Sequence, residues 1–362
     1  MKKLLIAAAV AAACSAQAAD FTMYGVMATG FTYTDTKAAE TFQMNSGNYA
    51  GPRVGFKGTE DLGNGYAVDF LIEMGFNGDT GALGGNGALF NRESRLSVVS
   101  PYGTFGAGRL GAFSSGSSSL GWLWEFDPFE AAYVDAGVQA WMVNAWRRTD
   151  NTLYYQTPTF GGVTVGLQYG MTGENTTEAE RYSDNDGFYN LTARWDGENS
   201  RALLGFEYDT YGTVKEGEGV QRDDAWSVKL IGVHDFTSEF TGYLGAFYSK
   251  NYRKYSDWDI EGMPFKFDAQ NGKGLESYSV FAGAKYSVGN ASFLASVSYM
   301  DGENKGTLDQ DNEYSRYTIG LGAHYYFSKR TMLYAVTSYG DGDDLLKDSE
   351  RFAAQLGIYH TF

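Results

Sequence analysis

The chain is poor in cysteine, proline, histidine and basic residues. Of its 362 residues, one is Cys, 3 are His and 5 are Pro. A single Cys excludes a disulfide framework and any multi-Cys zinc or iron–sulfur site. Ordinary usage would supply about 18 Pro for this length, so few backbone donors are missing and long hydrogen-bonded strands are permitted. Lys and Arg total 28 against 44 Asp and Glu, a net charge of −16. With no basic excess, nothing would neutralise nucleic-acid phosphates. Past the first twenty residues, no apolar run approaches the ~18 residues of a membrane helix. The chain is nonetheless 43% hydrophobic and 16% aromatic, which excludes disorder. What it has in excess is glycine, 47 residues where about 25 would be ordinary, together with 27 Tyr and 24 Phe.

Met1-Lys2-Lys3, an apolar run over residues 4–13 and then Ala16-Gln17-Ala18 give the basic start, short apolar stretch and small-residue site of an export signal. The run falls well short of the ~20 residues needed to span a bilayer. Cleavage is expected after Ala18, dividing the chain into a signal peptide, 1–18, and a single mature domain, 19–362. Cys14 belongs to the signal, and Ala11, three positions before it, is not the Leu-like residue of a lipidation site. Loss of Lys2 and Lys3 would take the net charge from −16 to −18.

Beyond the signal, apolar residues alternate instead of clustering. Within 314–327, Tyr317, Ile319, Leu321, Ala323, Tyr325 and Phe327 share one face; Arg316, Thr318, Gly320, Gly322 and His324 share the other. Aromatics bracket the aliphatics, as in a strand that crosses a bilayer between two aromatic girdles, and the opposite face is polar or bare. The same alternation runs through 66–76, 163–169, 189–195, 226–230, 278–286 and 293–299, with charges almost wholly on the second face. That pattern predicts a closed barrel with a wet lumen.

Short turn sequences, among them Asp61-Leu62-Gly63-Asn64-Gly65, Pro101-Tyr102-Gly103 and Gly289-Asn290, alternate with longer Gly/Asp/Asn-rich segments. The long segments lie near 35–48, 77–90, 111–146, 172–186, 212–222, 251–275, 302–313 and 341–350. Seven turns and eight loops make fifteen connections and therefore sixteen strands. At ~10 residues each, these need about 160 residues and leave roughly 180 for connections. The expected fold is all-β, a sixteen-stranded antiparallel transmembrane barrel with both termini on the periplasmic side.

Five fragments then carry a resemblance. Phe21-Thr22-Met23-Tyr24-Gly25-Val26 is similar to an opening strand, and Arg53-Val54-Gly55-Phe56-Lys57-Gly58-Thr59-Glu60-Asp61-Leu62-Gly63 to a second strand and first turn. Asp150-Asn151-Thr152-Leu153-Tyr154-Tyr155-Gln156-Thr157-Pro158 matches the strand after a constriction loop. Phe327-Ser328-Lys329-Arg330-Thr331 matches a last turn, and Gly357-Ile358-Tyr359-His360-Thr361-Phe362 a closing strand. In this order and spacing they resemble the general-diffusion porins of Gram-negative outer membranes, of the betaproteobacterial type.

The resemblance implies a water-filled channel for passive diffusion of small hydrophilic solutes and ions, set in outer-membrane lipid and lipopolysaccharide as a homotrimer. It implies that the third loop, about 111–146, folds into the lumen, and that Phe362 is a signal read by the barrel-assembly machinery. The loop carries Glu125, Asp127, Glu130 and Asp135 and no Lys or Arg, so it is expected to form an acidic lip. By the family pattern the facing basic wall is Arg53, Arg95, Arg109 and Arg148, or its neighbour Arg147. The overall acid excess points to cation preference. Two other readings stay open: a solute-specific channel, and a plugged structural or adhesive barrel acting through its loops.

No enzyme, cofactor or metal site is expected. Gly106-Ala107-Gly108-Arg109-Leu110-Gly111 spells a dinucleotide motif, but a Ser/Gly-rich loop follows instead of a helix. Asp184-Asn185-Asp186-Gly187 and Asp341-Gly342-Asp343-Asp344 lack the Glu twelve positions along that a calcium loop needs. His234, His324 and His360 are expected near the periplasmic rim, away from extracellular substrates.

Overall fold

The computed structural model describes residues 20–133, 135–171, 186–212, 220–254, 271–307 and 311–362. The expected signal peptide with Cys14 lies outside the described residues, as do Asp184 and Asn185.

One antiparallel sheet closes on itself. Its strands are β1 (Thr22–Thr36), β2 (Glu40–Ser46), β3 (Arg53–Gly63), β4 (Tyr66–Gly75), β5 (Glu93–Ser100) and β6 (Gly103–Gly111). Next come β7 (Arg148–Gln156), β8 (Val163–Met171), β9 (Gly187–Asp196), β10 (Ser200–Thr210), β11 (Ala225–Asp235) and β12 (Phe240–Tyr252). The last are β13 (Leu275–Val288), β14 (Ala291–Asn304), β15 (Glu313–Ser328), β16 (Thr331–Asp344) and β17 (Arg351–Thr361). The seam pairs β1 with β17 from Val26↔Thr361 to Thr36↔Arg351. Gly25 and Phe362 finish it by exchanging backbone hydrogen bonds of 3.0 and 3.1 Å. A closed sheet has no free edge, which a backbone surrounded by lipid requires.

The seventeen strands make sixteen staves. β2 pairs with β1 along Thr29–Asp35, and β3 pairs with the same strand along Thr22–Val26. The two are upper and lower parts of one stave, interrupted by Gly47-Asn48-Tyr49-Ala50-Gly51-Pro52. The loop expected over 35–48 is thereby corrected, since residues 40–46 are strand. The short turns fall where the sequence puts them, and so does the long connection between β6 and β7.

The outer face reads as expected: Tyr317, Ile319, Leu321, Tyr325 and Phe327 are exposed while Arg316, Thr318 and His324 are buried. The inner face departs from expectation, because it is not polar throughout. Leu203, Ile231, Val233, Tyr243, Phe247 and Phe281 point inward from β10–β13 and are buried together with Phe113, Leu123, Phe126, Trp141 and Met142 of the β6–β7 connection. Trp141 stacks on Phe281 at 5.1 Å with 16° between rings. Apolar loop residues need an apolar partner, so this side of the barrel wall becomes a core.

Candidate functional site

The connection of residues 112–147 is stitched to inward side chains. At its root, Phe113 N donates to Gln168 Oε1 (2.8 Å) while Gln168 Nε2 donates to Gly111 O (2.9 Å). Phe113 then lies flat against the wall at Gly166, where any Cβ would come within 2.3 Å of its ring. Further along, Ser279 Oγ donates to Trp141 O (2.7 Å) and Ser296 Oγ to Ala136 O (2.7 Å).

The strongest anchor is an ion pair with no solvent exposure, Lys229 on β11 with Glu207 on β10, Nζ to Oε1 2.6 Å. Lys229 Nζ also donates to Ser114 O and Asn144 O at 3.2 and 3.3 Å. Glu207 accepts from Ser114 Oγ and, at 2.8 Å, from Asn144 Nδ2. Ser114 and Asn144 stand near the two ends of the loop, so one buried pair holds both.

The four loop acids do not form a common lip. Asp127 is buried and accepts backbone N–H bonds from Phe129 (3.2 Å), Ala131 (2.9 Å) and Val138 (3.0 Å). Burial pushes its carboxyl up to about 7, against the downward pull of those three donors. Asp135 is buried against Arg316 of β15 at 3.0 Å. Glu125 meets Arg194 of β9 through two bonds of 2.9 and 2.6 Å. Glu130 takes the hydroxyl of Tyr49 and lies 3.7 Å from Lys285 of β13. Asp127 and Asp135 therefore face protein, the first as a turn cap and the second as a wall contact. Sequence reasoning missed the matching bases, although Arg194, Lys285 and Arg316 all fall on the polar face of their strands.

On the opposite side the arginines divide into two groups. Arg53 on β3 and Arg92 just before β5 meet Glu73 of β4, and Arg148 at the start of β7 stands within the field of both and of Arg109 on β6. Arg92 Nε lies 2.6 Å and Arg53 Nε 3.6 Å from the Glu73 carboxylate, which also accepts from Tyr24 Oη (2.8 Å). Arg109 donates to Asn91 O (2.8 Å) and pairs with Asp150 (2.5 Å). Arg148 has buried Nε and Nη2 atoms with no hydrogen-bond partner among the described residues. Arg92, adjoining a loop, carried no signal in the strand period. Arg95 stands apart, paired with Glu93 (2.8 Å) and Asp69; Glu93 in turn accepts from Ser119 N and Oγ at 2.8 and 2.7 Å. Arg95 thus belongs to the root of the loop. Arg147 is held by Asp209 of β10, Nη1 to Oδ2 2.9 Å, which leaves Arg148 as the member of that pair in the cluster.

Arg148 also borders a chamber of about 1240 Å³ between the loop and the strands β1, β2 and β17. Hydroxyl and amide side chains such as Thr32, Thr34, Gln43 and Gln355 line it, with Arg147, Arg148, Lys254 and Arg351 against one acid, Asp150.

Comparison with known proteins agrees with this geometry. The family model described as Gram-negative porin matches residues 6–345. The chain belongs to the Gram-negative porin family. An outer membrane porin protein of Bordetella pertussis is 29% identical over 404 aligned residues that cover all of both chains. A solved anion-selective porin from Comamonas acidovorans superposes with a TM-score of 0.74 at 21% identity, covering 95% of this chain and 100% of that one. The trimer form of OmpT of Vibrio cholerae superposes with a TM-score of 0.65 at 15% identity, covering 96% and 100%. This porin is accordingly an outer-membrane channel for passive diffusion, and porins are channels rather than enzymes. Its histidines are scattered: His324 Nε2 shares a 2.9 Å bond with Tyr133 Oη inside the lumen, whereas His234 and His360 meet Ser200 and Thr331 in exposed positions.

Proposed function

We propose that this porin is an anion-preferring general-diffusion channel, with Arg148 as its principal selectivity residue and Arg53, Arg92 and Arg109 as supporting charges. The observation that carries this reading is the arginine cluster, in which Arg53, Arg92, Arg109 and Arg148 meet two carboxylates, Glu73 and Asp150, and Arg148 Nε and Nη2 have no hydrogen-bond partner among the described residues. A positive surface on a narrow aqueous gap attracts anions and repels cations. The anion-selective neighbour supports the same reading. The overall charge of −16 does not argue against it, because it is summed over the whole chain, including exposed turn acids such as Glu60, Asp61 and Glu198, whereas selectivity follows the charges that border the gap. Glu125 and Glu130 act within the loop's attachment instead of as a free acidic lip. The trimer form of OmpT supports a homotrimer for this chain as well. We further propose that residues 1–18 are removed on export and that Phe362 is the assembly signal of the mature barrel, which sits in lipopolysaccharide-bearing membrane.

Planar-bilayer recording tests the proposal. The protein should give stepwise conductance, in threes for a trimer, and a reversal potential of anion sign in a KCl gradient; Arg148→Ala should move that potential toward cations. Absence of conductance overturns the channel, and cation preference in the wild type overturns the selectivity.

A further inference from the structure

The break between β2 and β3 carries residues 47–52 off the barrel wall, six residues standing opposite only Met27 and Ala28 of β1. Gly47 begins the departure in the left-handed region, φ 74°. Interrupting a ladder forfeits backbone hydrogen bonds, and such irregularities concentrate where a strand must re-aim a side chain.

Here the re-aimed side chain is Tyr49. Its ring stands 4.9 Å from Tyr359 of β17, 5.5 Å from His324 of β15 and 5.8 Å from Tyr133 of the inserted loop, centroid to centroid. Its hydroxyl donates to Glu130 of that loop, and Glu130 is held on its other oxygen, 3.7 Å from Lys285 Nζ. At the far end of the excursion, a Cβ on Gly51 would stand 3.1 Å from Arg92 Nη1. The excursion thus spans from the arginine cluster to the loop, and Asn48, Tyr49 and Ala50 border the chamber beside it.

We propose that residues 47–52 are a second constriction element of the channel, in which Tyr49 sets the width and its bond to Glu130 latches the inserted loop in place. The inference rests on the channel reading above and adds a specificity residue to it. Two insertions then bound the gap: the loop, and a short excursion from the neighbouring wall. Arginines supply its charge and an aromatic ring its bulk. Solutes are screened by sign at Arg148 and by size at Tyr49.

Size and charge are read separately. Tyr49→Ala should raise single-channel conductance and admit, in liposome swelling, neutral sugars larger than the wild type passes, with the sign of the reversal potential kept. Tyr49→Phe retains the ring and should keep the size limit, but losing the latch should increase current noise and closures. Glu130→Gln, with Tyr49 intact, retains an acceptor oxygen and should keep the quiet behaviour of the wild type. Ala50→Trp adds bulk outside the aromatic cluster and should lower conductance, which covers the case in which Tyr49→Ala does not fold. Wild-type conductance and size limit in a folded Tyr49→Ala or Ala50→Trp barrel overturn the inference. An anion-sign reversal potential in the same membranes leaves the reading at Arg148 standing.

Discussion

At the scale of single residues, the lumen is governed by whether a charge is matched. Lys229 and Glu207 are sealed from solvent yet saturated by each other, Ser114 and Asn144. Removing one partner of such a pair costs about 3–5 kcal/mol, because the other charge is left buried and uncompensated. Lys229→Met should therefore lower the urea midpoint of the refolded barrel and expose residues 112–147 to protease. Replacing both members with apolar residues should recover much of the loss. Asp127 gives a pH dependence. Its carboxyl is pushed up to about 7, whereas an unfolded Asp titrates near ~3.9, so the folded state holds a proton that the unfolded chain has released. The resulting stabilisation is full below ~4 and is lost as pH rises through about 7. Melting temperature in detergent should fall across that window in the wild type and fall less in Asp127→Asn. Neither feature is legible in the sequence. An inward Lys or a loop Asp reads the same whether it meets water or protein, and only the course of the loop decides between them.

Among the elements, strands and turns were the most legible part. Alternation of Tyr317, Ile319 and Leu321 with Arg316, Thr318 and Gly320 states which face meets lipid, and Gly289-Asn290 can only be a tight reversal between such strands. The break at residues 47–52 was not legible. Gly47-Asn48 and Gly51-Pro52 carry ordinary loop chemistry, and nothing in those residues says that they turn into the barrel instead of away from it. Nor was the apolar patch of Ile231 and Phe281, because the period of two assigns them to the inner face without saying that a loop covers them. The closing element carries its own expectation. β17 is hydrogen-bonded to β16 on one side and β1 on the other, and the Phe362 ring is half exposed on the outer surface. Deleting Phe362 should lower the yield of folded barrel in the outer membrane while leaving refolding in detergent nearly intact. Heat-modifiable migration on a gel would compare the two; an equal drop in both would mean that the residue stabilises the seam rather than serving as a signal.

For the molecule as a whole, net charge and channel charge are separate quantities. Selectivity should depend on the arginines within reach of a permeating ion, and that reach is set by screening, about 10 Å at 0.1 M salt and 3 Å at 1 M. Anion preference measured from reversal potentials should accordingly shrink as KCl rises from 0.1 to 1 M, and shrink less in Arg148→Ala, which begins from a weaker field. A preference independent of salt would locate selection in size alone. The seam has a different consequence, one of timing. Val26 of the first strand is the partner of Thr361 of the last, 335 positions further along the chain. Contacts so distant along the chain are slow to form, since a long loop must close before they reward it. No leading portion can satisfy both edges of β1, so the barrel closes only when the last strand is in place.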